Sequence, residues 1–463
     1  MSTRLAWIFT TIAFVRLVLL STSSLAAVVL LVPDVAAQNE KAIYESVNQA
    51  MAPGEDGYVW LGPKAGLWWC TLETPGGPLG FGLEVSHLGS NVFEAAIRNG
   101  VERIPVDLVS DSESQTFYID LPHYNAVISG VCAGTGVIMV GDYVRTVDAE
   151  TERILPFRAE LNALNAYRPD AIDDAVSDPQ GVLARALATP LAARWEIDFQ
   201  DEQDIAVGQF RTLPDGLNVE GTILTTTGDY RHLAGRWDGV RLLLSTFDGA
   251  HAFLFDASLD GETLVGDFWS GDHYHTAFTA TANPDAALPD PFDQTSFFDQ
   301  PTWDALTFPN LDGEPTSLGG FVGKPMIVEI MGSWCPNCHD AAGELARLQA
   351  EFGDRIQTVA IAFEAIGDFE TDAQQVRLYM ERHGLADSGL EVLIGGLKDK
   401  DTATQALGFL DEVRAFPTTV FVNAQGKIEA VHTGFAGPAA AREHEEQAAA
   451  FTRLVRAMVE NGG

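Results

Sequence analysis

Met326-Ile327-Val328-Glu329-Ile330-Met331-Gly332-Ser333-Trp334-Cys335-Pro336-Asn337-Cys338-His339 joins two periodicities at one point. The first six residues are apolar except Glu329, and Gly332-Ser333 closes the run, the pattern of a buried strand. From His339 to Phe352 the spacing is helical, with Ala342, Leu345, Ala346 and Leu348 on one face. Cys335 and Cys338 therefore lie where a strand hands over to a helix. At a helix N-terminus the free N–H groups and the positive end of the dipole favour a thiolate. The thiolate is the attacking species in thiol–disulfide exchange. The two-residue spacer lets the second cysteine reach the first and resolve a mixed disulfide.

Two other uses of such a pair fit less well. Zinc wants two further ligands at metal spacing. Cys70 and Cys132 stand more than 200 residues upstream, His339 adjoins Cys338, and His432 is distant. A purely structural disulfide over so short a loop gains little chain entropy.

About 80 residues on comes Arg414-Ala415-Phe416-Pro417-Thr418-Thr419-Val420-Phe421-Val422. A proline opening an apolar strand cannot donate to the ladder, and a cis bond at the strand edge resolves that. Trp-Cys-x-x-Cys followed by Pro-Thr before an apolar run resembles the thioredoxin superfamily. Lys324-Pro325 before the first strand and Asn423-Ala424-Gln425-Gly426-Lys427 after the second fit as well. More narrowly, the C-terminal third, roughly Phe308–Glu460, resembles the TlpA/ResA-like thiol–disulfide oxidoreductases, exported bacterial proteins. Their insert between the first helix and the cis-proline would fall within Glu364–Leu410. The resemblance implies roles residue by residue. Cys335 is the exposed nucleophile and Cys338 the buried resolving thiol. Trp334 flanks the site, Pro417 is a cis-proline facing the disulfide, and Phe416 presents backbone to a bound substrate chain. Glu329, six residues before Cys335, matches the buried acid of thioredoxin. A carboxylate in an apolar strand is costly to ionise, which suits it to trade protons with Cys338. The chain departs from many ResA-like proteins in having Ala341 where they carry Glu, so proton handling rests on Glu329 alone.

The chain has 463 residues and a net charge of −37. Its length suits two or three domains, and its charge disfavours nucleic acid and anionic membranes as partners. Arg4 precedes a long apolar tract, and Val35-Ala36-Ala37 is a small-residue cleavage pattern. This predicts a signal peptide over residues 1–37, or an uncleaved membrane anchor. Either way the body is expected to be exported, to the periplasm or beyond, where disulfides are permitted.

From Tyr58 to about Ala280, short β-rich runs alternate with Gly, Asn and Asp. This is an all-β texture, a sandwich or barrel. Asn99-Gly100 and Asp238-Gly239 mark hairpins. Three echoes occur in the same order. Trp69–Glu73 parallels Trp195–Phe199, Arg98–Val101 parallels Trp237–Val240, and Gly136–Tyr143 parallels Gly261–Phe268. They predict two related β halves, 58–160 and 190–282, around a helical connector, 161–189. A Pro- and Asp-rich linker, 283–303, leads to the thioredoxin-like domain, 304–463.

Little in the β part carries chemistry. His273 and His275, on one face of a strand, could ligate a metal, but no third ligand is visible, and no metal is expected. Thr226-Thr227-Gly228-Asp229-Tyr230 and Ser245–His251 are a recognition surface or plain tight turns. Cys70 and Cys132 are a disulfide or two buried thiols.

The expected function is an exported oxidoreductase reducing protein disulfides through the Cys335–Cys338 dithiol, without a cofactor. Its expected partners are a disulfide-bearing protein and a membrane thiol donor that restores the dithiol. One alternative is a partner-binding β protein with a redox-regulatory domain. Another is a thiol peroxidase, which would want Thr or Ser where Gly332 stands.

Overall fold

The computed structural model describes residues 62–461 apart from 90–91, 112–113, 115, 134–135, 162–177, 201–204 and 299. The expected signal segment and most of the connector lie outside the described residues. The connector's described part holds a helix, Pro179–Ala188, with Pro179 in its first turn and the Asp178 carboxylate accepting from Gly181 N–H. Among the described residues, no helix is long and apolar enough to cross a membrane.

The β region is two closed barrels of eight strands each. In the first, every strand from Gly66–Thr74 to Glu152–Leu161 pairs antiparallel with the next, and the last pairs with the first. The second closes the same way from Arg194–Phe199 to Tyr274–Ala282, with a two-residue strand, Gly228–Asp229, appended to Asn218–Thr225. Alternation builds both. In Gly66–Thr74, Trp68, Cys70 and Leu72 point inward while their neighbours are partly or fully exposed. Closure removes the sheet edges that an open sheet would leave unpaired.

Two of the three echoes fall on equivalent strands. Trp69 and Trp195 lie in the first strand of each barrel, and Gly141 and Gly266 in the seventh. The other is offset by one hairpin. Asn99-Gly100 turns between strands three and four of its barrel, while Asp238-Gly239 turns between four and five. The tryptophans also differ in facing. Trp195 is buried, whereas the inward residue of the first barrel is Trp68, one place before Trp69. A one-residue slip moves a side chain to the opposite face.

The barrels are fused along one side. Ser245 Oγ donates to Gly80 O at 2.7 Å. The Asn99 amide both donates to Phe247 O and accepts from Phe247 N–H. Phe247 inserts against Phe81, ring centroids 4.6 Å apart, and so completes the first barrel's core. Cys70 and Cys132 are not joined to each other, and both are buried.

The C-terminal part is a thioredoxin-like α/β domain. Its sheet runs Leu390–Leu397, Gln357–Glu364, Met326–Met331, Thr418–Val422, Ile428–Thr433. The first two pairings are parallel and the last two antiparallel. Every residue of the central strand Met326–Met331 is buried, as expected for a strand covered on both faces. Helices Pro336–Phe352, Phe369–Arg382, Lys400–Leu407 and Ala441–Asn461 complete the domain. The expected insert is itself ordered, as helix Phe369–Arg382, strand Leu390–Leu397 and helix Lys400–Leu407.

Candidate active site

The strand Met326–Met331 delivers the chain through Gly332-Ser333-Trp334 to Cys335, which caps the helix Pro336–Phe352. Pro336 in the first turn needs no N–H partner there. Cys338 is one turn inside the helix and fully buried. Burial raises its pKa above the ordinary thiol value; its hydrogen bond with Cys335, the Cys335 charge and the Glu329 charge act in the same direction. The Cys335 thiol donates to Phe416 O at 3.3 Å. The Phe416–Pro417 bond is cis, so the structure brings Pro417's loop onto the dithiol. Trp334 donates its indole N–H to Phe363 O at 2.8 Å, packs edge-on against Phe416 at 5.6 Å, and lies under the Lys398 ammonium.

The expected exposure of Cys335 needs correction. It is only 7% exposed. Trp334 and Phe416 flank it, and the mouth of the second barrel covers it. Cys335 lines a cavity of about 790 Å³ whose other wall is Thr225–Tyr230, His251, Phe253 and Tyr274. The contact is close: Gly228 leaves no room for a side chain because the Asn337 amide fills that space.

Glu329 is 1% exposed, and its Oε1 has no hydrogen-bond partner. Burial pushes its carboxyl up to about 8, with the Cys335 charge adding to the rise. Its charge is felt at Cys338 in turn. A neutral acid is the expected outcome for a buried, unpaired carboxyl.

Several neighbours were not legible as site residues. Glu364, at the end of Gln357–Glu364, accepts from Ser333 N–H at 2.8 Å and from Ser333 Oγ–H at 2.6 Å. It fixes the turn just before Cys335. Burial raises its carboxyl to about 7 against those two hydrogen bonds. Its one sequence signal is an acid closing the apolar run Val359–Phe363. Tyr379 O–H donates to Cys338 O at 2.9 Å. His339 Nε2–H donates to Ser333 O at 2.8 Å, so its Nδ1 accepts from His383 Nε2–H at 2.7 Å. Burial holds both imidazoles below their ordinary pKa.

The two barrel histidines do not share a strand face. His273 sits in the turn before Tyr274–Ala282, while His275 lies against Asp267 at 2.8 Å and stacks on Trp269.

Residues 301–431 match the AhpC/TSA family. Thioredoxin-like protein YneN of Bacillus subtilis (strain 168) is 27% identical over 124 residues, covering 27% of this chain and 65% of that protein. Thiol-disulfide oxidoreductase ResA of Halalkalibacterium halodurans is 28% identical over 130 residues, covering 27% of this chain and 62% of that protein. The chain thus spans less than two thirds of either relative. Among solved structures, a DsbF homologue from Corynebacterium diphtheriae is 16% identical, covers 38% of this chain and 96% of its own, and has a TM-score of 0.27. A secreted Mycobacterium tuberculosis disulfide oxidoreductase is 22% identical, with shares of 31% and 94% and a TM-score of 0.24. Residues 301–431 therefore form an AhpC/TSA-type domain, and the C-terminal third of the chain is thioredoxin-like and similar to thiol–disulfide oxidoreductases.

Proposed function

We propose that this chain is an exported thiol–disulfide oxidoreductase that reduces disulfides through Cys335 and Cys338. One observation carries the reading. Two thiols meet at a strand–helix junction, the outer one at the chamber wall and the inner one buried where the Glu329 carboxyl acts on it. The Cys335 thiolate attacks a substrate sulfur, forming a mixed disulfide and releasing one substrate thiolate. Cys338, as thiolate, then attacks Cys335 Sγ, closing the Cys335–Cys338 disulfide and releasing the second thiolate. The substrate gains two electrons and the dithiol loses two. A membrane thiol donor would restore the dithiol by the reverse exchange. Glu329 moves the proton at Cys338 Sγ: with a pKa of about 8, its ionised fraction accepts the proton as Cys338 attacks, and its neutral form returns one when Cys338 leaves. Trp334 and the Pro417 loop hold the sulfurs in place.

A peroxidase reading finds no support at position 332. Even a bare Cβ on Gly332 would come within 2.8 Å of Phe363 O, so no hydroxyl-bearing residue fits without a shift.

The order of reactivity tests the assignment. Limited iodoacetamide on the fully reduced protein is expected to label Cys335 first, since Cys338 is fully buried with a raised pKa. Mass mapping that finds Cys338 labelled first would reverse the roles.

Glu329→Gln is expected to slow turnover about tenfold at pH 7, while leaving the first attack by Cys335 largely unchanged. It should also alter stability in a defined direction. With a folded pKa of about 8 against an unfolded value near 4.5, wild-type Glu329 holds a proton in the folded state that the unfolded chain has lost. Stability from this site is therefore lost as pH rises from about 4.5 to 8, by roughly 1.4 kcal/mol per unit. The variant should lack that slope. Identical turnover and identical pH slopes in the two proteins would remove Glu329 from the mechanism.

A further inference from the structure

The roof over Cys335 belongs to another part of the chain. Its elements come from the second barrel, about 60 to 110 residues upstream in sequence. The roof is anchored, not loosely laid. Arg231, in a left-handed conformation with φ 63°, is buried and ion-paired to three acids from three parts of the molecule. These are Asp340 on the redox helix, Glu102 of the first barrel at 3.4 Å, and Asp248 of its own barrel at 3.3 Å. Asp229 accepts from Gly437 N–H of the redox domain, and Arg194 pairs with Glu443 at 3.3 Å. The Asn125 and Gln375 side chains bond across the first barrel's contact, and Lys398 donates to Val147 O at 2.6 Å. Thus the dithiol opens into a walled chamber, and a rigid folded partner meets the barrel before it meets the sulfur.

The chamber's lining is largely uncharged and rich in aromatic rings, with threonines, a serine and an asparagine among them. Tyr230 and Phe253 pack with centroids 5.1 Å apart, and His251 stacks on Phe253 at 4.4 Å. Among the described residues, charge in the lining is limited to Lys400 and Asp229, and Asp229 is already committed to Arg231 N–H and Gly437 N–H. A volume near 790 Å³ falls within the roughly 300–1,000 Å³ of small-ligand sites.

Resting on the redox reading above, we propose that the second barrel is the substrate-selecting half of the redox site. The chamber takes a disulfide on a small, flexible carrier, a short peptide or comparable molecule with apolar or aromatic groups beside the sulfurs. It excludes disulfides held in folded domains. The exchange is the one already written: the carrier's disulfide is cleaved to two thiols as Cys335 and Cys338 become a disulfide.

The test uses the full chain, reduced with a dithiol reagent and freed of it. Loss of protein thiols is followed with three oxidants: a disulfide-cyclised peptide with an aromatic residue beside one cysteine, hydroxyethyl disulfide, and a folded disulfide-bonded protein. Two chamber-filling variants, Ser270→Trp and Thr226→Trp, are run beside wild type. Both residues line the chamber outside the dithiol machinery. The peptide should react at least about tenfold faster than the folded protein, and each variant should lose about tenfold for the peptide. Iodoacetamide labelling of Cys335 should stay within about twofold of wild type, showing that the thiol and fold are intact. Hydroxyethyl disulfide matching the peptide would assign the chamber to small disulfides generally; a slower rate would assign it to peptides. Equal rates for peptide and folded protein, or peptide rates untouched in both variants, would overturn the chamber while leaving the redox reading. Wild type exchanging with none of the three would overturn the redox reading itself.

Discussion

Cys335→Ser is expected to end disulfide exchange, with turnover down by at least about a thousandfold. The reason is positional. Cys335 is the sulfur that lines the chamber, whereas Cys338, Cys70 and Cys132 are at most 1% exposed. No other cysteine can substitute for it. Cys338→Ser should behave differently. It keeps the first attack but lacks the resolving thiol, so mixed disulfides should accumulate. Turnover assays with a dithiol reductant, run beside thiol titration, separate the two cases. Substantial activity in Cys335→Ser would sink the mechanism.

Arg231→Met is expected to cost about 3–5 kcal/mol, because removing one partner of a buried charge network leaves the others unpaired. Glu102, Asp248 and Asp340 pair with this one guanidinium, and the Asp229 charge acts on it as well. Wild-type Glu102 already sits near pH 7, raised chiefly by burial and opposed mainly by Arg231. Without the cation the carboxyls should bind protons more tightly in the folded state. The folded form then binds more protons than the unfolded one over a wider range, so the variant's deficit should grow from pH 5 to pH 8. Loosening the network should also lift the barrel from the dithiol and speed iodoacetamide labelling of Cys335. Denaturant midpoints at the two pH values and labelling rates check both effects. A stability loss that is flat with pH, together with unchanged labelling, would show that Arg231 does not hold the roof.

The dithiol was legible because its signals are local. A six-residue apolar run, Gly332-Ser333, and a helical face after His339 place both cysteines from neighbours alone. Pro417 was legible because a proline heading an apolar strand has few accommodations. The barrels were legible as β halves through alternation and turn residues. Their closure was not, since the pairing of Gly66–Thr74 with Glu152–Leu161 joins segments far apart in sequence. The echo at Asn99 and Asp238 misled for a related reason. Asn-Gly and Asp-Gly serve any hairpin, so they report a turn but not which one.

What stayed hidden was the meeting of distant segments. Thr226–Tyr230 is a polar, glycine-bearing turn, open equally to a recognition surface and to a plain loop. Only the fold brings Gly228 onto Asn337 and Tyr230 into one chamber with Cys335. The exposure expected for Cys335 follows from the strand–helix junction considered alone. It fails here because the barrel adds a wall that no pattern near residue 335 encodes. Glu364 escaped notice because an acid at a strand end is usually solvated; here it is 2% exposed and holds Ser333.

Trapping the mixed disulfide tests the redox account most directly. Reduced Cys338→Ser is mixed with the disulfide-cyclised peptide, quenched with acid, digested and mapped by mass. The account predicts one peptide per chain, attached at Cys335 and released by dithiol reductant. A chain that carries no adduct, or carries it at Cys70 or Cys132 with Cys335 free, would contradict it.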